Sequence, residues 1–120
     1  MDRVVVIDDE PLVAEACAVI LRVAGYEVSV ATDGESGLRL VSEWLPDVVV
    51  SDIRMPGIDG LELVSLLKAQ PATAHIPVLL MSGHGYADMN SCDAFLPKPF
   101  LVPELLATVQ HLVKRKTARS

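Results

Sequence analysis

The sequence predicts an α/β fold, a parallel β-sheet covered by helices on both faces. Three observations lead there. Short runs such as Val4-Val5-Val6-Ile7 and Val48-Val49-Val50 are apolar throughout, as strands buried on both faces are. Stretches with helical spacing of apolar residues lie between such runs, so strand and helix alternate five times along the chain, the pattern of parallel βαβ units. The runs also end on polar or charged residues, and ligands bind at the carboxyl ends of strands in open α/β sheets.

Each element has its own local reason. Val4 to Ile7 is the first strand, ending at Asp8-Asp9-Glu10. Pro11 opens a helix, where its fixed φ and missing N–H do no harm. Leu12, Ala16, Val19, Ile20 and Val23 supply that helix's apolar spacing, and Gly25 ends it as a left-handed cap. Tyr26 to Ala31 is a second strand. Asp33 caps a helix whose expected inner face is Leu38, Val41 and Leu45, before Pro46 stops it. Val48 to Ser51 is the third strand, followed by Asp52 and the turn Met55-Pro56-Gly57. Asp59-Gly60 starts a helix with Leu63, Leu66 and Leu67 inward. Pro77 to Met81 is the fourth strand, ending at Ser82-Gly83. Ala94 to Pro97 is a brief fifth strand, followed by Lys98-Pro99-Phe100. Pro103 opens the last helix, with Leu105, Leu106, Val109, Leu112 and Val113 inward. The basic end, Lys114 to Ser120, reads as cations near a helix C-terminus followed by fraying.

The totals narrow the function. The chain has 120 residues, the size of one domain, here taken as residues 1–120. Half the residues are hydrophobic, enough for a core. The net charge of −6 argues against direct nucleic-acid binding, which needs a basic surface. Cys17 and Cys92 make no disulfide framework. There is neither a signal-peptide pattern nor an apolar run long enough to span a membrane, so a cytoplasmic protein is expected.

A parallel sheet gathers its strand ends along one edge. Here that edge receives Asp8 and Asp9, Asp52, Ser82 and Lys98. Taken alone, Asp52 could simply cap the turn that follows it. Three converging carboxylates, however, repel and raise one another's pKa unless a cation sits among them. Carboxylates with a backbone carbonyl are hard oxygen ligands that suit Mg²⁺ better than Zn²⁺. His75, His84 and His111 are too scattered to bind metal and read as surface residues. A divalent cation, an ammonium and a hydroxyl around one carboxylate make a site for a phosphoryl group. Asp52 would be the nucleophile, forming an acyl phosphate.

Asp8-Asp9, Asp52 within Asp-Ile-Arg-Met-Pro-Gly-Ile-Asp-Gly, Ser82-Gly83 and Lys98-Pro99-Phe100, in that order and at strand ends, resemble the receiver domains of bacterial two-component response regulators. The resemblance covers essentially the whole chain. It implies a flavodoxin-like, doubly wound five-stranded sheet of order 2-1-3-4-5. It also implies phosphorylation of Asp52 by a sensor histidine kinase or phosphotransfer protein. Asp8, Asp9, Asp52 and the Arg54 backbone carbonyl would surround Mg²⁺, and Ser82 and Lys98 would contact the phosphoryl group. Ser82 and Phe95 would act as the switch pair, the aromatic turning inward as the hydroxyl follows the phosphate. Lys98-Pro99 would be cis, which an X-Pro bond permits. Gly83 would leave a path open for the donor imidazole and for water. Arg54 and His84 occupy positions that tune dephosphorylation in this family, against the plainer reading of two exposed loop side chains. Such a domain catalyses only its own phosphorylation and dephosphorylation while regulating a downstream partner.

One departure stands out. Most relatives carry a full helix between strands four and five, but only residues 82–93 lie between Met81 and Ala94 here. They are rich in helix-disfavouring residues, so a shortened or irregular fourth helix is expected, mobile and reordered by phosphate, and an output face that does not rely on it. Two other function classes compete. An aspartyl-phosphate phosphatase of the haloacid dehalogenase type needs an Asp two residues beyond the nucleophile, where Arg54 stands. A non-phosphorylated interaction module on the same fold would be expected to have lost the acidic or lysine positions, all of which are kept.

Overall fold

The structure is a computed structural model that describes residues 2–83 and 92–119. The elements run β1 (Arg3–Ile7), α1 (Pro11–Val23), β2 (Glu27–Ala31), α2 (Gly34–Trp44), β3 (Val48–Asp52), α3 (Gly60–Ala69), β4 (Val78–Ser82), β5 (Ala94–Pro97) and α4 (Val102–Arg119). The five strands form one sheet in the order β2-β1-β3-β4-β5, and every neighbouring pair is parallel. The expected strand order and class are both present.

Strand alternation divides the core. Val4 and Val6 face α1 and α4, in a cluster with Ala14, Cys17, Leu21, Val50, Leu105, Val109 and Leu112. Val5 and Ile7 face the other way, in a cluster with Val41, Leu63, Leu67, Ile76 and Leu80. Val4 to Ile7 of β1 and all of β3 and β4 are therefore buried whichever way they point, which is why these strands read as largely apolar runs. Each fully buried Val or Leu contributes about 1.5–3 kcal/mol of hydrophobic stabilisation.

The structure corrects the inner face of α1. The buried residues are Ala14, Cys17, Ala18 and Leu21, whereas Leu12 is 88% and Val23 84% exposed, with Val19 also exposed. This helix is apolar nearly all round, so spacing alone does not select one stripe. The small residues Ala14, Cys17 and Ala18 let the helix lie close to the sheet, and the larger side chains are left outside. Leu45 is a second correction. It is 49% exposed, because it is the C-cap of α2 in the left-handed conformation, φ 48°. In α3, Leu63 and Leu67 are buried as expected, joined by Val64, while Leu66 is only half-buried.

The caps behave as their chemistry predicts. Gly25 follows α1 with φ 103°. The side chain of Asp33 accepts from the Ser36 N–H at the start of α2, and that of Asp59 accepts from the Glu62 N–H at the start of α3. Hydrogen bonding to Ser36 holds the Asp33 carboxyl below its ordinary pKa. The expected irregular fourth helix, with His84, falls on residues 84–91 and lies outside the described residues. Where the chain returns, Asp93 closes onto the start of β4. Its N–H donates to the Val78 carbonyl at 3.0 Å, and its Oδ2 accepts from the Val78 N–H at 2.8 Å.

The Leu45 geometry makes a prediction that separates backbone strain from burial. A branched L-residue is disfavoured at φ > 0, whereas Asn tolerates it. Leu45→Val should lower stability by about 1 kcal/mol and Leu45→Asn should not, as read from urea unfolding. The reverse order would mean that Leu45 is held by packing.

Candidate functional site

Four strand ends carry the site on one edge of the sheet. β1 runs directly into Asp8 and Asp9, β3 ends on Asp52, β4 ends on Ser82, and Lys98 follows β5. The register explains their convergence. Asp52 lies beside Met81 and Ser82 beside Pro97, and the Lys98 N–H donates to the Ser82 carbonyl at 2.8 Å. Strands buried on both faces hold these backbone positions rigidly, so the side chains above them are pre-placed.

Asp8 and Asp52 are buried. Ligand oxygens of Asp8, Asp9 and Asp52 all lie within 4.8 Å of one another. The Lys98 ammonium sits 3.1 Å from Asp8 Oδ2 and 3.4 Å from Asp52 Oδ1. Asp8 is engaged at both oxygens, since its Oδ1 also accepts from the Glu10 N–H at 3.0 Å. Lys98 is the only side-chain cation paired to these carboxylates among the described residues, so one ammonium faces three acids.

The electrostatics follow from that imbalance. Burial pushes the Asp52 carboxyl up from its ordinary value; Lys98 pulls it back and Asp8 and Asp9 push it further. For Lys98, burial acts to lower the pKa, but its pairs with Asp8 and Asp52 outweigh this and hold it above the ordinary lysine value. The donor set fits a hard divalent cation. Oxygens around Mg²⁺ at about 2.1 Å would lie about 3–4 Å apart, close to the spacing already present, and the acids carry uncompensated charge.

Around these groups lies a cleft of about 280 Å³, lined by Asp9, Glu10, Asp52, Arg54, Ser82, Gly83 and Lys98. It holds every site residue expected on the edge except the buried Asp8, just beneath. A wider recess of about 470 Å³ continues past Arg54 along Met55, Pro56 and Asp59. Arg54 is exposed. Among the described residues, a Cβ built on Gly83 would meet only Lys98 Cβ, at 3.8 Å, so on their side Gly83 leaves the cleft mouth open. Phe95 is half-buried beside Leu80 and packs against the α2–α3 side of the core. The Lys98-Pro99 bond is cis.

Sequence reasoning passed over two features. Glu10 lines the cleft and its N–H orients Asp8, a role that the Asp-Asp-Glu triplet could have suggested. Gly34 and Gly60 flank the loop carrying Arg54. Gly60 is needed because a Cβ there would meet the Asp52 carbonyl oxygen at 2.5 Å. Only a folded chain shows that closeness.

The raised pKa of Asp52 has a stability consequence. A carboxyl whose folded pKa is raised binds its proton more tightly in the native state, so its ionisation destabilises the fold. That cost appears as pH rises through the carboxylate range and persists above it. Asp52→Asn removes it and leaves Lys98 paired to Asp8. In EDTA at neutral pH its melting temperature should therefore exceed that of the wild type by about 2–5 °C, the difference shrinking as pH falls. An unchanged or lower melting temperature would contradict this.

The comparisons agree with the geometry. Residues 4–110 match the family model described as response regulator receiver domain. Among curated proteins, the chain is 35% identical to a DNA-binding dual master transcriptional regulator, RpaA, of a Synechocystis species, over 96% of this chain and 50% of that protein. It is 38% identical to the transcriptional regulatory protein PrrA of Mycobacterium leprae, over 97% of this chain and 52% of that protein. The chain thus spans about half the length of these relatives. Among solved structures, a putative response regulator from Chloroflexus aurantiacus superposes with a TM-score of 0.88 at 32% identity, covering 94% of this chain and 98% of that one. The Vibrio cholerae chemotaxis protein CheY4 does so with a TM-score of 0.86 at 29% identity, covering 93% and 98%. The chain belongs to the receiver domain family of two-component response regulators.

Proposed function

We propose that this chain, residues 1–120 forming one receiver domain, is the phosphoacceptor of a cytoplasmic two-component pathway, and that Asp52 is the residue phosphorylated. The observation that carries the reading is the set of three carboxylates and one ammonium on the strand-end edge, opening into a cleft with a hydroxyl and a glycine at its mouth. A carboxylate oxygen of Asp52 attacks the phosphorus of a phosphohistidine, the P–N bond breaks, and the imidazole leaves. Asp8, Asp9, Asp52 and the Arg54 carbonyl would hold Mg²⁺, which would supply charge neutralisation for the phosphoryl oxygens. The Lys98 ammonium and the Ser82 hydroxyl contact the remaining oxygens. Ser82 and Phe95 carry the switch, and Arg54 and His84 tune the lifetime of the acyl phosphate. The chemistry is confined to the domain's own phosphorylation and dephosphorylation. Arg54, where a phosphatase of the dehalogenase type needs an acid, counts against that alternative.

The donor is a histidine kinase or phosphotransfer protein. Leu12, Val19 and Val23 form an exposed apolar strip on α1, whose first turn adjoins the cleft through Glu10. With Val102 and Leu106 of α4, Val19 and Val23 line an apolar groove of about 270 Å³. These residues support docking of the donor along α1. Among the described residues no helix is long and apolar enough to cross a membrane, and this domain acts on a downstream protein without itself binding nucleic acid, in keeping with the net charge of −6.

Acetyl phosphate with Mg²⁺, followed by intact mass, tests the central claim. The wild type should gain a single phosphoryl group, EDTA should block it, and Asp52→Ala should abolish it while staying folded. Lys98→Ala should still label, but should lose most of the amide-exchange change that phosphorylation causes in the wild type. Labelling of Asp52→Ala would remove the nucleophile assignment.

Docking is tested separately. Leu12→Asp with Val23→Asp changes exposed residues, so the fold should survive. Transfer from a phosphorylated donor protein should slow about tenfold or more, as for loss of apolar anchors, while labelling by acetyl phosphate stays at the wild-type rate. Equal slowing with both donors would place the effect at the site and not at the surface.

A further inference from the structure

We infer that Gly34, the first residue of α2, is a positioning residue for the Arg54 carbonyl; the inference rests on the site reading above and adds a residue to it. Gly34 is buried and lies outside the cleft. A Cβ built on it would collide with the Ile58 carbonyl oxygen, and would come within 2.8 Å of Ile58 Cβ and 3.0 Å of its carbonyl carbon. Two of these are backbone atoms, so a methyl group at Gly34 cannot be accommodated by rotating a side chain. Either α2 or the 53–59 loop must move.

That loop is fastened at both ends. The Ile53 N–H donates to the Met81 carbonyl at 3.0 Å, and the Gly60 N–H donates back to the Ile53 carbonyl at 2.8 Å, closing the segment into a ring. Gly60 presses on the strand itself, with room for no Cβ between it and the Asp52 carbonyl. Met55 is anchored in the core, and Asp59 is committed to capping α3. A push at Ile58 therefore cannot be relieved toward α3, where Asp59 is held, and is carried back through Gly57, Pro56 and Met55 toward Arg54, within the ring that the Ile53 and Gly60 hydrogen bonds close. Oxygen ligands must sit within a few tenths of an ångström of their ideal places for Mg²⁺, which demands near-ideal octahedral geometry. Groups that orient a metal's ligands typically change its affinity about 10–100-fold when altered. The absence of a side chain at Gly34 thus sets the height of the loop, and through it the metal-facing oxygen.

The experiment is a Mg²⁺ titration followed by backbone amide chemical shifts, with acetyl phosphate labelling at each Mg²⁺ concentration. Gly34→Ala should weaken the Mg²⁺ midpoint about tenfold, and raising Mg²⁺ should restore labelling. Gly25→Ala is the control. It forces an L-residue into φ 103° far from the cleft, so it should lower the melting temperature and leave the Mg²⁺ midpoint unchanged. A folded Gly34→Ala with the wild-type midpoint would overturn the inference, meaning that Gly57, at φ 74°, absorbs the push before it reaches Arg54. If Gly34→Ala does not fold, the wild type decides: the Gly34 and Ile58 amides should shift with the same midpoint as Arg54, and their silence would overturn the inference. A wild type that neither binds Mg²⁺ nor labels would instead bring down the site reading itself.

Discussion

Three acids share one ammonium at the end of a parallel sheet, and much of the structure answers to that crowding. Moving ions out of water costs several kcal/mol each, and attraction returns it only where partners are well placed. Asp8 is compensated, with a backbone N–H on one oxygen and Lys98 on the other. Asp52 has Lys98 at the longer distance and faces two like charges. Left to itself, a flexible chain would relax such a cluster by separating its members. Here they stand on strands that cannot separate, because β1 and β3 are buried on both faces and paired to each other through Val4 to Ile7. Burial of several Val and Leu side chains, at about 1.5–3 kcal/mol each, outweighs the repulsion and holds it in place. The core is the reason that the site can remain short of positive charge.

The same reasoning orders the loops. Those bearing the acids are tight and backbone-bonded, and glycine appears where helix and loop must touch. Gly60 brings α3 against the end of β3, and Gly34 brings α2 against the loop that leaves it. α2 and α3 thus bear on the geometry of the site without lining its cleft. The opposite side of the cleft is Gly83, which touches little among the described residues and leaves room there. One edge of the site is built for position and the other for access.

Much of this was legible in the amino-acid sequence, for identifiable reasons. Strands buried on both faces announce themselves, so β1 and β3 were readable within a residue at each end. Asp33 and Asp59 cap helices by local chemistry, and local chemistry is visible in one dimension. Asp8, Asp9, Asp52, Ser82 and Lys98 were readable because parallel topology forces strand ends together once the alternation is recognised. α1 was misread at Leu12, Val19 and Val23, since a helix with apolar residues on every side carries no phase, and close approach to the sheet selected its small residues instead. Leu45 was misread because a cap in the left-handed region looks like one more periodic leucine. Gly34 was invisible, as a residue whose function is the absence of atoms is defined only by what comes near it.

The division of labour among strands also bears on how a phosphoryl group would be sensed. On the proposed function, phosphorylation replaces one negative charge at Asp52 with a group near −2, beside a lysine now held closer to Asp8 than to Asp52. The larger charge competes for the ammonium, and whichever part of the structure yields most easily will move. β1 and β3 are fixed in the middle of the sheet. β5 is four residues long, lies at the sheet edge and is only partly buried, which marks it as an element of lower local stability. Lys98 follows directly from it, its N–H is bonded to the carbonyl of Ser82, and Phe95 lies within it, half-buried. A pull on the ammonium and on the Ser82 hydroxyl is therefore a pull on one edge, with the aromatic riding on the same four residues. The acids supply the fixed frame, and the cation is mounted on the strand best able to respond.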